Sequence, residues 1–554
     1  MEQSKKNGFR KGLIISILGL IILFFVIATI GFWSLKPMLS KRLKSAVLET
    51  TDSLYYLDFK DINYQIITGQ ADILEVTWRA DTNRYEGLKK AKNMPDNIYQ
   101  GKVNGIKLAG LHPWTIFFSK KLNISTITIK DPNLDISHEK QIYNSFKTAK
   151  SPYQIISKFV KSFSVKKIVF ENIYIAYTSH QKPKKPHVSR IENLDLEVSD
   201  LLIDSTSEKD KNRFYYTKEC IFGLKKIEIP SEDSLNTIKV NELLFSTKTR
   251  SISMKNLILQ PRFKEMEYSV HTNGDDRIGI QFNNIKLEEI DIEKLFEEKK
   301  IYAQNLNINH GKVTVFTDTR TFNVLPKAPY RPFPHEAFKN WSLKFMIDTI
   351  KIRDFDITYS EYNPDTKSVG NVLFKRVVGN IHNFTNDTIT LKNNSHCLVI
   401  LKGSLMNKAP ITLHFNFDLL APKGDFLFTG NVGKMQMPAL NQVTESLGFA
   451  KAEKGFLTDY TCHIKGDRYA LNGSATMLYQ DLNITILKKG EEKGLKKRKL
   501  LSFFANAFVI KDSNPIGKQP VRIAAIKYQR IPTKPFFFTL WKSILLSITK
   551  SVME

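Results

Sequence analysis

The chain has 554 residues and 42% hydrophobic content, long enough for several domains or one elongated β-structure and too apolar for global disorder. Its formal charge of +27, from 82 Lys+Arg against 55 Asp+Glu, favours anionic partners such as nucleic acid or lipid headgroups. Three widely separated cysteines, Cys220, Cys397 and Cys462, give neither a zinc spacing nor a disulfide framework.

Residues 1–11 read as a short tail before an anchor at 12–35. From Gly12 to Leu35 no residue is charged, and Trp33 sits near one end. At ~1.5 Å per residue this is roughly 36 Å of helix, enough to cross a ~30 Å hydrocarbon core. A retained transmembrane helix is expected, because the stretch is long for a signal peptide and no small-residue cleavage site follows it. Lys5, Lys6, Arg10 and Lys11 precede the span, while Lys36, Lys41, Arg42 and Lys44 follow it, so charge leaves its orientation open. Residues 37–50 have the spacing of a helix, with Leu39, Leu43 and Ala46 on one side.

A short phrase then recurs through 36–330 and just beyond. Its clearest copies are Leu122–Ile136 (LNISTITIKDPNLDI) and Phe163–Tyr177 (FSVKKIVFENIYIAY). Looser copies lie at Met254–Phe263, Leu306–Val315 and Ile347–Tyr359. Such repetition indicates an array of similar units rather than one catalytic pocket. Period-two alternation and an excess of Ile, Val, Thr, Tyr and Phe predict strands. Ile124 and Ile127 are three apart, as are Ile129 and Pro132, so a turn or bulge is expected at each break. A companion phrase, at Val103–Leu111, Ile191–Val198, Leu224–Ile229 and Ile285–Ile290, alternates apolar with charged residues, the pattern of an antiparallel sheet with one wet face. Helices or loops are expected at Lys140–Phe163 and Asp291–Glu298, and Pro326, Pro329, Pro332 and Pro334 suggest a boundary before residue 331.

From 331 to 534 longer strands punctuated by glycines are expected at Leu401–Leu405, Thr412–Leu419, Phe426–Val432, Ala452–Leu457, Cys462–Gly466, Tyr469–Gly473 and Thr476–Ile486, with a helical stretch from Asn441 to Gly448. Lys488–Lys499 reads as a loop whose basic cluster, Lys496–Lys499, is solvated. Residues 535–554 are expected to form an amphipathic helix that either touches a membrane or partner or covers the open end of the sheet. His310, His335 and His382 lack companions at ligand or triad spacing, and Glu288-Glu289 and Glu297-Glu298 do not form a glycosidase pair. No catalytic residue, metal ligand set or cofactor is expected. A nucleic-acid partner fits the charge but not the anchor.

The single span, the Ile-x-x-Ile-x-Ile-x-x-Pro-x-Ile phrase and the order Pro438-Ala439-Leu440-Asn441, Gly455, Gly466, Gly473 and Tyr479-x-Asp481-Leu482 resemble the AsmA-like proteins of the bacterial envelope, the group with TamB-type members. The resemblance implies a mainly β fold: an N-terminal transmembrane helix, then an elongated, curved, U-shaped antiparallel sheet with a few short helices. It places the anchor in the inner membrane and the bulk of the chain in the periplasm. It implies that the apolar face is a lipid groove rather than the filled sandwich that alternation alone favours. The implied lining is Ile124, Ile127, Ile129, Leu134 and Ile136; Val165, Ile168, Phe170, Ile173 and Ile175; Leu257 and Leu259; and Ile350, Ile352, Phe355 and Ile357. The expected function is carriage of phospholipids or other membrane lipids for outer-membrane biogenesis. The alternative is a non-enzymatic assembly factor or scaffold that holds envelope protein partners by edge pairing.

Overall fold

The computed structural model describes residues 41–553 except 140–150, 181–186, 321–330 and 488–509 and scattered positions at 42–52, 66–67, 92–94, 112–117, 158–159, 232 and 449. The expected tail and anchor, the Lys488–Lys499 loop, Pro326 and Pro329 lie outside the described residues. The described positions between 41 and 48 are helical.

The fold is mainly β, and the chain divides into two compact units: residues 1–226 with 242–252, and residues 227–241 with 253–554. In the first lie β1 (Tyr55–Asp58), β2 (Asp61–Gln65), β3 (Gln70–Ala80), β4 (Asn97–Ala109), β5 (Lys121–Lys130), β6 (Asn133–His138), β7 (Ser162–Ser179) and β8 (His187–Ile203). Residues of β9 (Glu219–Pro230), β10 (Asn236–Ser246) and β11 (Ser251–Pro261) are divided between the units. The second unit continues with β12 (Arg277–Glu288), β13 (Lys300–Asp318), β14 (Lys344–Asn363), β15 (Ser368–Thr385), β16 (His396–Leu405) and β17 (Ala409–Asp418). It ends with β18 (Phe426–Val432), β19 (Met435–Gln436), β20 (Ala450–Gly466), β21 (Ala470–Ile486) and β22 (Ile523–Gln529). Pro332 and Pro334 thus fall inside the second unit.

The strands are not all antiparallel, as the repeat suggested. In the first unit β5 and β6 both run parallel to β7. In the second, β13 runs parallel to β14 over its whole length. Parallel neighbours need a crossover connection of a dozen or more residues. The connections after His138, where the Lys140–Phe163 interruption was expected, and after Asp318, where the proline-rich connection lies, supply those crossovers. One contains the helix Pro152–Ile156, where Ser151 Oγ accepts from Gln154 N at 3.3 Å and Gln154 Oε1 accepts from Ser151 N at 2.8 Å. From β14 to β22 every pairing is antiparallel.

At Ile129–Pro132 and at the matching places of the later copies the break is a left-handed residue, in keeping with the expected turn or bulge; between Ile124 and Ile127, where one was also expected, β5 pairs with β7 without a register shift and neither intervening residue is left-handed. Asp131, Asn172 and Asn193 have φ of 49°, 56° and 56° in the first unit. Asn284, His310, Asp354 and Arg376 have φ of 48°, 59°, 56° and 50° in the second. Asn, Asp and His tolerate this region better than other side chains. The breaks lie beside one another on adjacent strands. Asn172 Nδ2 donates to Asp131 Oδ1 at 3.2 Å, and His310 Nδ1 meets Asp354 Oδ2 at 2.8 Å. Register shifts occur at the same places in β7–β8, β12–β13 and β14–β15. Each bulge keeps the residues before and after it on one face, because the extra residue absorbs the phase error.

The core of the first unit gathers Leu122, Ile124, Ile127, Ile129, Phe163, Val165 and Ile168 with Ile73, Val103 and Leu201, all buried. In the second unit an aromatic cluster surrounds Phe333, which is 0% exposed. Its ring meets Phe426 and Phe536 edge-on at 5.7 and 5.1 Å, and the Arg530 guanidinium lies 3.9 Å from its centroid. His335 is 2% exposed, lies 4.6 Å from the Phe417 ring and donates from Nε2 to Gly424 O at 3.1 Å. Burial pulls its imidazole down from 6.5 to about 4. The stability that the neutral ring contributes is whole above pH 6.5 and is lost as pH falls through about 4. We expect a loss of about 3 kcal/mol across that window. Denaturant midpoints at neutral and acidic pH read it, and His335→Phe removes this part of the slope. Asp276 acts in the opposite sense. Burial raises its carboxyl from 3.8 to about 6, so its contribution is whole below 3.8 and lost as pH rises through about 6. The informative comparison is therefore between the parent and the His335 variant at each pH.

Candidate functional site: an apolar cavity under the C-terminal helix

Phe536–Met553 forms an 18-residue helix that packs on β21 and β22. Among the described residues it is the one helix long and apolar enough to cross a membrane, and half of it is buried inside the protein. In the structure it covers the sheet. Its most deeply buried positions are polar: Thr539, Ser543, Ser547 and Ser551, spaced four apart and so on one face. Each hydroxyl donates back into the helix, to Pro535 O at 2.9 Å, Leu540 O at 2.7 Å, Ile544 O at 2.7 Å and Ser547 O at 2.9 Å. The hydroxyls are thus satisfied without water, and the small side chains let the helix lie close to the strands. Tyr460 also reaches Ser547 Oγ at 2.8 Å.

The C-terminal end of the helix is fastened by Tyr479 of the sequence signature together with Lys511 and Arg522. Tyr479 OH donates to Ser551 O at 3.2 Å, Lys511 N donates to Val552 O at 2.8 Å, and Arg522 Nη2 bonds Tyr479 OH at 3.1 Å and Ser513 O at 2.7 Å. These donors satisfy carbonyls that the helix leaves open, and the arginine sits at the negative end of its dipole. Asp481 takes a left-handed φ of 55°, and Leu482 is buried. Gly455, at φ 142°, leaves room for Leu482 Cδ1 and Met437 Sδ, which a Cβ there would meet at 3.0 and 3.2 Å. A second helix, Asn441–Gly448, is tied to β20 because the Asn441 amide pairs with both backbone groups of Ala452 at 2.9 Å.

Between these helices and the strands lies a cavity of about 1040 Å³. Alternate residues supply its wall: Val399, Leu401, Gly403 and Leu405 from β16; Leu413, Phe415 and Phe417 from β17; and Phe428, Gly430 and Val432 from β18. Leu457, Tyr460 and Cys462 continue it on β20, where a register shift after Leu457 restores the phase. The helices contribute Val443, Leu447, Leu540, Trp541, Ile544 and Ile548. The lining is almost wholly hydrocarbon and aromatic.

Its polar part is small. Glu361 is 1% exposed and accepts from Lys542 Nζ at 3.0 Å and from Tyr359 OH at 3.1 Å. Burial holds the Tyr359 hydroxyl well above its ordinary value. Beyond the lining, Thr317 Oγ1 donates to Asp276 Oδ1 at 2.7 Å. Lys534, a lining residue, is half-buried, and burial lowers its ammonium group.

The residues implied as groove lining fall in several places. Ile124, Ile127, Ile129, Val165, Ile168 and Ile173 are buried in the first unit, and Phe170 packs against its core. Leu134, Ile136 and Ile175 there are half-buried. In the second unit Leu257, Leu259 and Ile352 are half-buried, Ile350 and Phe355 are buried, and Ile357 lines the cavity. The remainder of the lining comes from strands and turns between 359 and 484, from both helices, and from Thr319, Pro334, Tyr528 and Lys534. The alternation of Leu401, Gly403 and Leu405 and of Leu413, Phe415 and Phe417 was the signal available for it. Cys220, Cys397 and Cys462 are buried free thiols. Among the described residues no three His, Cys, Asp or Glu side chains group to hold a metal. The chain matches no model of a known protein family and no curated protein sequence.

Proposed function

We propose that this chain carries or conducts lipid acyl chains in a bacterial envelope, without catalysis. Residues 12–35 anchor it in the inner membrane, and the remainder stands in the periplasm and serves outer-membrane biogenesis. The observation that carries this reading is the 1040 Å³ apolar cavity walled by alternate strand residues and covered by an apolar helix. It lies at the upper end of the ~300–1,000 Å³ range of small-molecule pockets. At the ~30 Å³ share of one water, it has room for roughly 35 water-sized groups, enough for long acyl chains. Each methylene moved from water into such a lining gains about 0.8 kcal/mol. The AsmA-like resemblance supplies the compartment and the envelope role.

The test is purification of the full-length chain and mass spectrometry of the lipids extracted from it, with photo-crosslinking residues at Phe415 and at Ile127. Co-purified membrane lipid and acyl crosslinks at position 415 are expected, with none at 127. Absence of both lipid and crosslinks overturns the carrier reading and leaves the scaffold alternative.

A further inference from the structure

We propose that the cavity takes an amphiphile whose head bears an anionic oxygen group, a carboxylate or a phosphate, and that Lys534 receives that head. This rests on the reading of the cavity as an acyl-chain site. Glu361, Asp318 and Asp276 act on Lys534 at longer range, opposed by Arg331, but each of these charges has a nearer partner. Lys542 pairs with Glu361 at 3.0 Å, Arg331 with Asp275 at 2.7 Å and Arg320 with Asp318 at 2.6 Å. Asp276 is bonded by Thr317. Lys534 lies 5.6 Å from the Phe538 ring centroid, and no carboxylate among the described residues comes within 4.0 Å of its Nζ. On the same lining the Trp541 indole N–H is buried with no acceptor.

An ammonium and an indole N–H are donors only, so whatever completes either of them is an acceptor. The positive charge of Lys534, partly removed from water, selects an anionic acceptor over a neutral one. The helix that begins at Phe536 reinforces the sign. Its first turn carries no acidic residue, so the positive end of its dipole is uncompensated by side chains beside Lys534. A cationic or zwitterionic ammonium head would meet like charge at this end.

The test uses the full-length, delipidated chain in maltoside micelles at a pH where the probe's carboxyl is ionised. A fluorescent anthroyloxy-stearic acid, its methyl ester and lysophosphatidate as competitor are the probes. We expect the acid to bind about tenfold tighter than the ester. Lys534→Met should reduce the acid to the affinity of the ester while leaving ester binding unchanged, which also reports that the variant is folded. Lys534→Arg should retain the preference. Displacement of the acid by lysophosphatidate identifies a phosphate head as an occupant; displacement by stearate alone identifies a carboxylate. Equal binding of acid and ester by the parent, or a preference that survives Lys534→Met, overturns the head-group assignment and leaves the acyl-chain reading standing. Binding of neither probe overturns both.

Discussion

Phe333→Ala is expected to destabilise the second unit by about 3–5 kcal/mol, measured as a shift of the denaturant-unfolding midpoint. The phenyl ring is completely buried, and two edge-on aromatic neighbours hold it in place. The residue sits at the N-terminus of the short helix Pro334–Ala337, where its backbone N–H donates to Glu336 Oε2 at 2.8 Å. Alanine keeps that backbone bond, so the loss isolates the ring. Three contributions add: the transfer of the ring, the void left among rings too rigid to collapse, and the loss of the surface on which Arg530 lies. Arg530 is itself 3% exposed, and its guanidinium otherwise meets carbonyl oxygens of Arg331, Arg468 and Lys534. A cation over an aromatic ring contributes about 0.5–2 kcal/mol, more when it is desolvated. Phe333→Leu retains most of the volume and should cost much less. Phe536 belongs to the same cluster, so the alanine variant should also loosen the start of the C-terminal helix, read as earlier hydrogen exchange at its first turn.

Lys542→Met is expected to cost about 3–5 kcal/mol, and adding Glu361→Gln to it should recover most of that loss. The asymmetry of burial sets the order of effects. Lys542 retains 24% side-chain exposure and can turn toward water, whereas Glu361 retains 2% and cannot. Removing the lysine leaves a carboxylate enclosed beside the Tyr359 hydroxyl with no directly paired cation, Lys534 acting on it only at longer range. Removing the glutamate instead leaves an ammonium with an escape route, so Glu361→Gln alone should cost less than Lys542→Met alone. A double-mutant cycle on denaturant midpoints checks all three values. A result in which the two single variants cost the same, or in which the double variant is additive, contradicts this account of the pair.

The β-rich composition and the broken phase of the repeat were legible because both are periodicities of apolar side chains. The break at Asp131 was legible from the Ile129–Pro132 interval, and the same interval recurs around Asn172, His310 and Asp354; the equal interval from Ile124 to Ile127 shows that spacing alone does not fix a bulge, since both residues are buried there without one. The helix at Asn441–Gly448 and the glycine-ended strands before it were legible for similar reasons. Strand direction was not. Ile308 and Ile352 alternate the same way whether their strands run parallel or antiparallel, and only the length of the intervening connection distinguishes the two. The buried stripe of Thr539, Ser543, Ser547 and Ser551 was also hidden, because a hydroxyl reads as outward-facing until its bond to its own helix is seen. The cavity was hidden for a third reason. Alternation shows that Phe415 and Phe417 point inward, but whether the space they face is filled depends on the summed volume of side chains from β15 to β22 and both helices.

The side-by-side bulges have a consequence for how such a chain can change length over generations. Deleting one residue from β7 between Phe170 and Ile175 would turn half of that strand over against β6 and β8 at once, since both share its offset. Insertions inside strands are barred in the same way. Growth or shrinkage is then confined to the loops between strands and to the gain or loss of whole hairpins that already carry the offset. Lineages of this protein should therefore differ in strand number and loop length while the spacing around Asp131, Asn172, His310 and Asp354 stays fixed.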